Sequence, residues 1–451
     1  MDNGERDTIA AIATPPGKGA IAIVRVSGPA TEALAVRLVR GKAPLRARVA
    51  TYVTVCDETG RRLDRALAIR FTAPESYTGE EMLELHTHGS PIVTREVMRA
   101  LLACGARLAQ PGEFTRRAFF NGKMDLHAAA SVADLVEAET TAAARAAQAN
   151  LAGGLTHEVE AIRDALREAL ERLAGAIDFP DEVPEPPRPQ LHALVSELWA
   201  RLQRLRRDGE RGRLVREGLS VAIVGPPNAG KSSLLNALLG SDRAIVSDVP
   251  GTTRDTIEET IAIDGVPVRL VDTAGIRAHA DRLEGAGIER TARALATARV
   301  ALLVLDGSAL VVAEARSLLA RTRDRERIVF FNKADLGSDG ARACAMPDAI
   351  VGSVYDAETL TSLRGAIAQV GWDGEALDLS RPHLAALHEF DAVNGAIEAL
   401  ATAETSLRRG EPLDFAAGEL QRGFSVLGHF SGAEGAEAII GGIFSRFCIG
   451  K

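Results

Sequence analysis

Gly225-Pro226-Pro227-Asn228-Ala229-Gly230-Lys231-Ser232 fits G-x-x-x-x-G-K-[ST], directly after the apolar run Val221-Ala222-Ile223-Val224 and before a predicted helix beginning near Ser233. A strand, a glycine-rich turn and a helix in that order make a phosphate cradle. Glycines let successive backbone N–H groups curl round phosphate oxygens, and the helix N-terminus adds positive field. In such a cradle Lys231 reaches the β- and γ-phosphates, and the Ser232 hydroxyl ligates Mg²⁺. Average residue usage would produce the four fixed positions by accident in roughly one chain in a hundred of this length. The flanking context lowers that further.

Outward from this loop, Asp272-Thr273-Ala274-Gly275 follows an apolar strand at 268–271. An Asp at a strand end suits an outer-shell Mg²⁺ ligand, and Gly275 can turn its amide toward the γ-phosphate. Gly251-Thr252-Thr253 lies between, where a hydroxyl, assigned to Thr253, closes over Mg²⁺ in the triphosphate state. Asn332-Lys333-Ala334-Asp335 follows a strand at 328–331. The Asp335 carboxylate can accept both the ring N–H and the exocyclic amine of guanine, a pair adenine does not offer, so the expected base is guanine. Each tetrapeptide alone reads equally well as a turn; in this order, each after a strand, they support one another. These residues resemble the TRAFAC-class small GTPases. Where Ras-like proteins place a water-orienting Gln, this chain has Ile276, which cannot hydrogen-bond water.

At about 150 residues per domain, 451 residues suggest roughly three domains. A net charge of −8 argues against a surface that grips nucleic acid everywhere, while leaving room for a local basic patch. The one strong basic run is Arg201, Arg204, Arg206, Arg207, Arg211, Arg213 and Arg216. It reads as a surface for RNA phosphates or, equally, as a solvated helix face paired with neighbouring acids. Apolar runs such as 300–305 are too short to span a bilayer, and the acidic start resembles no targeting peptide. Cys56, Cys104, Cys344 and Cys448 are scattered without C-x-x-C spacing, which predicts a reducing, cytoplasmic setting. Strands are expected at 20–26 and 66–71 and a helix at 93–103. A helical stretch from 125 to 177, broken at Gly153-Gly154, leads to a proline-rich loop at 180–187. Helix follows at 191–216, then the strand–loop–helix series, then helices at 383–402 and 414–427.

Several stretches outside the nucleotide motifs resemble the MnmE/TrmE family of tRNA wobble-uridine modification GTPases. They include Asp7-Thr8-Ile9-Ala10 with Thr14-Pro15-Pro16-Gly17, and Ile23-Val24-Arg25-Val26-Ser27-Gly28. Tyr77-Thr78-Gly79-Glu80-Glu81 leads to Glu84-Leu85-His86, and Pro111-Gly112-Glu113-Phe114-Thr115-Arg116-Arg117 to Asn121-Gly122-Lys123-Met124-Asp125. Ile443-Phe444-Ser445-Arg446-Phe447-Cys448-Ile449-Gly450-Lys451 completes the likeness. The resemblance implies a multidomain α/β plus all-α chain. An N-terminal α/β tetrahydrofolate-binding and dimerisation domain would span 1–120. Two parts of a helical domain, 121–217 and 378–451, would flank an inserted Ras-like P-loop G domain at 218–377.

It further implies a homodimer that acts on tRNA with an FAD-dependent MnmG/GidA-type partner. The pair adds a carboxymethylaminomethyl or aminomethyl group to uridine C5, using a one-carbon unit from a tetrahydrofolate derivative, 5,10-methylene or 5-formyl. The folate contacts fall on Arg25, Glu84, Lys123 and Lys451, where cations suit the glutamate tail. The nucleotide contacts fall on Asn228, Ala229, Gly230, Lys231, Ser232 and Ser233, then on Ser247, Asp248, Val249, Pro250, Gly251, Thr252 and Thr253. Asp272, Thr273, Ala274, Gly275, Asn332, Lys333, Asp335 and Ser353 complete the set, the last in a Ser353-Val354-Tyr355 loop that departs from the family's Ser-Ala-Lys. Glu284 matches the Glu that organises the attacking water. A K⁺ ion, held by Asn228, Ser247, Val249 and Thr252, stands where an arginine finger would reach. Cys448 matches a residue tied to the modification; by itself it reads as a small apolar residue near a helix end. His127-Ala128-Ala129-Ala130-Ser131 departs from the family's Gln-Ala-Glu-containing segment. Two other readings share part of these motifs: a regulatory or ribosome-assembly GTPase without modification chemistry, and a folate-dependent aminomethyltransferase whose GTPase is incidental.

Overall fold

The computed structural model describes residues 7–41, 44–179, 181–241, 258–272, 294–308, 312–339, 346, 348–374, 381–430, 437–445, 447 and 449–450. Two compact units divide the chain. One gathers Met1–Ala133, Thr156–Trp199 and Ala386–Lys451; the other gathers Asp134–Leu155 and Ala200–Ala385.

In the first unit, seven strands form one sheet: β1 Ile9–Ile12, β2 Ile21–Ser27, β3 Val39–Arg40, β4 Thr51–Cys56, β5 Arg62–Phe71, β6 Met82–His88 and β7 Arg107–Leu108. Their order is β3-β4-β5-β6-β2-β1-β7, antiparallel except for β1 against β7. Alternation decides the faces. Val24, Val26, Leu83 and Leu85 are buried in one core with Leu34, Leu38, Val97 and Leu101 of helices Thr31–Leu38 and Pro91–Ala103. Arg25 and Glu84 are register partners on the opposite face. Of the seven, only the strands at 20–26 and 66–71 were located beforehand; β1, β3, β4, β6 and β7 were not, because sheet pairing is set by distant partners rather than local pattern. Helices Leu387–Arg408 and Leu413–Gly428 pack together, the second burying Leu413, Ala416, Leu420, Gly423 and Leu427 at helical spacing. The first starts four residues later than the expected 383, with the Ala386 amide donating to Glu389 Oε2 at 3.0 Å.

In the second unit, six strands follow: β8 Leu219–Val224, β9 Glu258–Ile263, β10 Val266–Asp272, β11 Val300–Asp306, β12 Glu326–Asn332 and β13 Ile350–Val351. The order is β13-β12-β11-β8-β10-β9, with every pairing parallel except β10 against the edge strand β9. Both faces are covered, so its strands read as unbroken apolar runs. Val221 and Ile223 face a core with Leu234, Leu238, Leu363 and Ile367, while Ala222 and Val224 face another with Leu303, Leu305 and Phe331. The helical stretch expected from 125 is interrupted at 138–140 as well as near 153. Thr140 causes the extra break: its hydroxyl accepts from the Ala143 amide, capping helix Thr141–Leu151, and donates to the Gly265 carbonyl at 3.0 Å.

Candidate functional site

Because β8, β10, β11 and β12 run parallel, their C-terminal ends lie along one edge, where doubly wound sheets bind ligands. That edge carries Gly225 after β8, Asp272 ending β10, Asp306 ending β11 and Asn332 ending β12. The loop after β8 turns through Asn228 (φ 62°) and Gly230 (φ 99°) into helix Lys231–Ser241, which begins two residues earlier than expected. A Cβ on Gly230 would run into the Asn332 amide nitrogen, so glycine is needed there for space as well as for its backbone angle. The Lys231 ammonium is held over the loop, donating to the carbonyls of Gly225 at 2.9 Å and Pro226 at 2.8 Å.

A cleft of ≈ 630 Å³ opens between this loop and the ends of β12 and β13, of a size for a nucleotide. Asn228, Gly230, Lys231, Ser232 and Ser233 line one side. Asn332, Lys333, Asp335 and Ser353 line the other, together with Leu336, Val354 and Tyr355. Phosphate-loop and base-loop residues some hundred positions apart therefore share one cavity. Asn332 joins them. Its side chain, 2% exposed, donates to the Ala229 carbonyl at 2.9 Å and accepts from the Val354 amide at 3.1 Å. Asp335 is exposed at the cleft, free to meet a base edge.

Sequence reasoning missed Asp306. Its carboxylate takes the Lys333 ammonium at 2.6 Å and is steadied by the Ser308 amide and hydroxyl. Partial burial works to raise its pKa, but the Lys333 and Ser308 contacts prevail and hold it below the ordinary value. A carboxylate at the C-terminal end of a parallel strand was the available signal.

In the first unit the structure brings together part of the second predicted set. Arg25 Nη2 pairs with Glu84 Oε1 at 2.9 Å, and Arg25 Nη1 donates to the Gly450 carbonyl at 3.4 Å. Arg25 also lies over the rings of Tyr77 and Phe114, at 5.6 and 5.7 Å. His86 Nε2 stands 3.3 Å from Glu84. Lys123 approaches through Gly79, whose added Cβ would stand 3.3 Å from the Lys123 stem. Behind them Arg117 meets Asp7 at 2.6 Å, Glu113 at 3.0 Å and Glu80 at 3.2 Å, and Arg107 joins Asp7 to Glu113. Asp7 is held below its usual pKa by Arg107, with Arg117 assisting. Glu113 is also lowered: burial opposes its charge, but Arg107, the Gln110 amide and Arg117 outweigh it. Ser247, Asp248, Val249, Pro250, Gly251, Thr252, Thr253, Thr273, Ala274, Gly275, Glu284, Cys448 and Lys451 lie outside the described residues.

A parallel sheet whose first strand enters G-x-x-x-x-G-K-S, tied by an N-K-x-D asparagine to the neighbouring loop, defines a P-loop GTPase domain. The family model described as the GTP-binding protein TrmE N-terminus matches residues 8–123, and that of the MnmE helical domain matches 126–448. The chain belongs to the MnmE/TrmE family. A protein of Synechococcus sp. (strain CC9605) named tRNA modification GTPase MnmE is 42% identical, covering 99% of both chains. One of the same name from Chloroflexus aurantiacus is also 42% identical, over 99% of this chain and 100% of its own. That of Streptococcus pneumoniae is 38% identical over the whole of both.

Proposed function

We propose that this protein hydrolyses GTP as part of a tRNA-modifying enzyme acting at C5 of the wobble uridine. The observation that carries it is the single cleft in which Lys231, Ser232, Asn332, Asp335 and Ser353 meet, within a chain related end to end to tRNA modification GTPases. Lys231 and the amides of the glycine loop suit the phosphates, Ser232 with Thr253 suits Mg²⁺, and Asp335 suits guanine. K⁺, held by Asn228, Ser247, Val249 and Thr252, is the proposed charge stabiliser, with Glu284 organising the water that Ile276 cannot. Asn228's left-handed backbone, which lifts it to the cleft, supports its part in this.

The one-carbon donor is proposed to be a tetrahydrofolate derivative bound at Arg25, Glu84, Lys123 and Lys451. The cluster fits such a ligand: a carboxylate for pterin N–H groups, a guanidinium for a carboxylate tail, and the aromatic ring of Tyr77 beside them. The domain division proposed is 1–120, 121–217, 218–377 and 378–451, with the G domain an insertion. The gathering of Thr156–Trp199 and Ala386–Lys451 into one unit supports that topology. The working form is proposed to be a cytoplasmic homodimer with an FAD-dependent partner. Among the described residues no helix is long and apolar enough to cross a membrane. Nucleoside mass spectrometry of tRNA from a deletion strain tests the reading: the wobble-uridine adduct should vanish and return with the wild-type gene. An unchanged nucleoside profile would refute it.

A further inference from the structure

The edge opposite the nucleotide cleft, where the parallel strands begin, is rich in arginine. Arg299 precedes β11 and Arg325 precedes β12, and since Val300 is the register partner of Glu326 the two arginines stand side by side on neighbouring strands, about 5 Å apart along the sheet. Arg321 ends helix Val312–Arg321 and Arg323 lies in the turn beyond it. A shallow groove of ≈ 820 Å³ joins Arg299, Arg321, Arg323 and Arg325 against only Asp324 and Glu326. A second groove of ≈ 730 Å³ shares Arg299 and continues along Arg207, Arg211 and Arg213.

Pairing separates the two halves of this strip. On helix Arg188–Glu217 the charges are answered in part: Arg213 meets Glu217 at 2.8 Å, Arg206 meets Glu210 at 3.8 Å, and Arg216 meets both Glu217 and Asp134. Arg325 is spent on the Ala298 carbonyl at 2.8 Å. Among the described residues Arg299, Arg321 and Arg323 are exposed and have no carboxylate partner. So part of the conspicuous arginine run is answered by neighbouring carboxylates, while Arg299, Arg321 and Arg323, from two separate segments, gather uncompensated positive charge in a chain with net charge −8.

We propose that this strip, centred on Arg299, Arg321 and Arg323, binds the phosphate backbone of RNA. The inference rests on the tRNA reading above. Guanidinium forks match phosphate oxygens, and a strip of two joined grooves suits a polyanion better than a single small anion. Its place at the far edge of the sheet leaves the nucleotide cleft open while RNA is held.

The test is binding of an unmodified tRNA transcript to the full-length protein across a salt series. Arg299→Gln/Arg321→Gln/Arg323→Gln should flatten the slope of log K against log salt by about 2 to 3 and weaken binding at low salt by about tenfold or more. GTP turnover without RNA should stay at the wild-type rate, which also reports that the variant is folded. A control lacking the exposed Arg65, Arg95 and Arg172 should keep the wild-type slope. An unchanged slope in the first variant overturns the surface, and so does equal flattening in the control. Either result leaves the deletion-strain nucleoside profile to judge the tRNA reading separately.

Discussion

Asn332→Ala removes a side chain that bonds the phosphate loop to the loop after β13. Both of its bonds go to backbone groups of buried residues: the Ala229 carbonyl, in a residue 1% exposed, and the Val354 amide, in a residue 5% exposed. A buried polar group that loses its partner costs about 1–3 kcal/mol, so two cost about 2–6 kcal/mol. At 1.4 kcal/mol per decade that spans about thirtyfold to ten-thousandfold in affinity. Val354 lines the open cleft, where water can replace part of the loss, so the lower end applies: about thirtyfold to a few hundredfold. Asn332→Asp should fare no better, since it keeps an acceptor for Val354 but aims an anion at the Ala229 carbonyl. Titration with a fluorescent GDP and stopped-flow release measure the effect, and faster release should account for most of it. Affinity within threefold of wild type would refute the view that this asparagine holds the two loops in register.

Other expectations follow from the same geometry. Asp335→Asn should cut GTP affinity while raising that for xanthosine triphosphate; undiminished GTP binding would unseat the base assignment. Asp306→Asn should speed GDP release by about fivefold, since the partly exposed Lys333 pair is worth about 1 kcal/mol; release at the wild-type rate would leave Asp306 without a role. Glu284→Ala should slow single-turnover hydrolysis by about 10²–10⁴-fold with GTP affinity kept, and K⁺ should support turnover that Na⁺ does not; equal rates in either comparison argue against those roles. Asp7 and Glu113 are held below 3.8 and 4.5, so the unfolded chain takes up their protons first and the stability they confer, full above those values, is lost as pH falls through them. Asp7→Asn/Glu113→Gln should therefore lower the neutral-pH melting temperature and flatten its acid decline; a parallel decline would contradict this.

The nucleotide site was legible because its parts are local. Gly225 to Ser232 carries strand, turn and helix in one continuous stretch, and each remaining motif announces itself at the end of an apolar run. Side-chain work between distant motifs was not legible. Asn332 was read as a nucleotide contact and lines the cleft, but no motif announces that its amide also ties Ala229 to Val354; Asp306 gave no motif of its own. The uncompensated arginines escaped notice for the opposite reason, since Arg201 to Arg216 drew attention by its density and density says nothing about pairing. In the first unit, Arg25 and Glu84 were named only through a resemblance. Their meeting depends on β2 pairing with β6 at a particular register, which no local pattern encodes.

The bond from Arg25 to the Gly450 carbonyl spans 425 positions of chain. During synthesis the sheet of the first unit can pair as soon as β7 has emerged, because all seven strands lie before residue 109. The contacts of Arg25 cannot be complete then: Gly450 arrives some 340 residues later, at about 5–20 residues per second. For about 20 s to a little over a minute the nascent chain can hold its sheet while Gly450 is still to come, and the Arg25–Gly450 contact then closes a loop of 425 positions. Docking of this segment, where a Cβ on Gly450 would run into the Ile12 carbonyl, completes the contacts of Arg25. A product stalled or clipped before Gly450 would keep the sheet pairing and lack the Arg25–Gly450 bond.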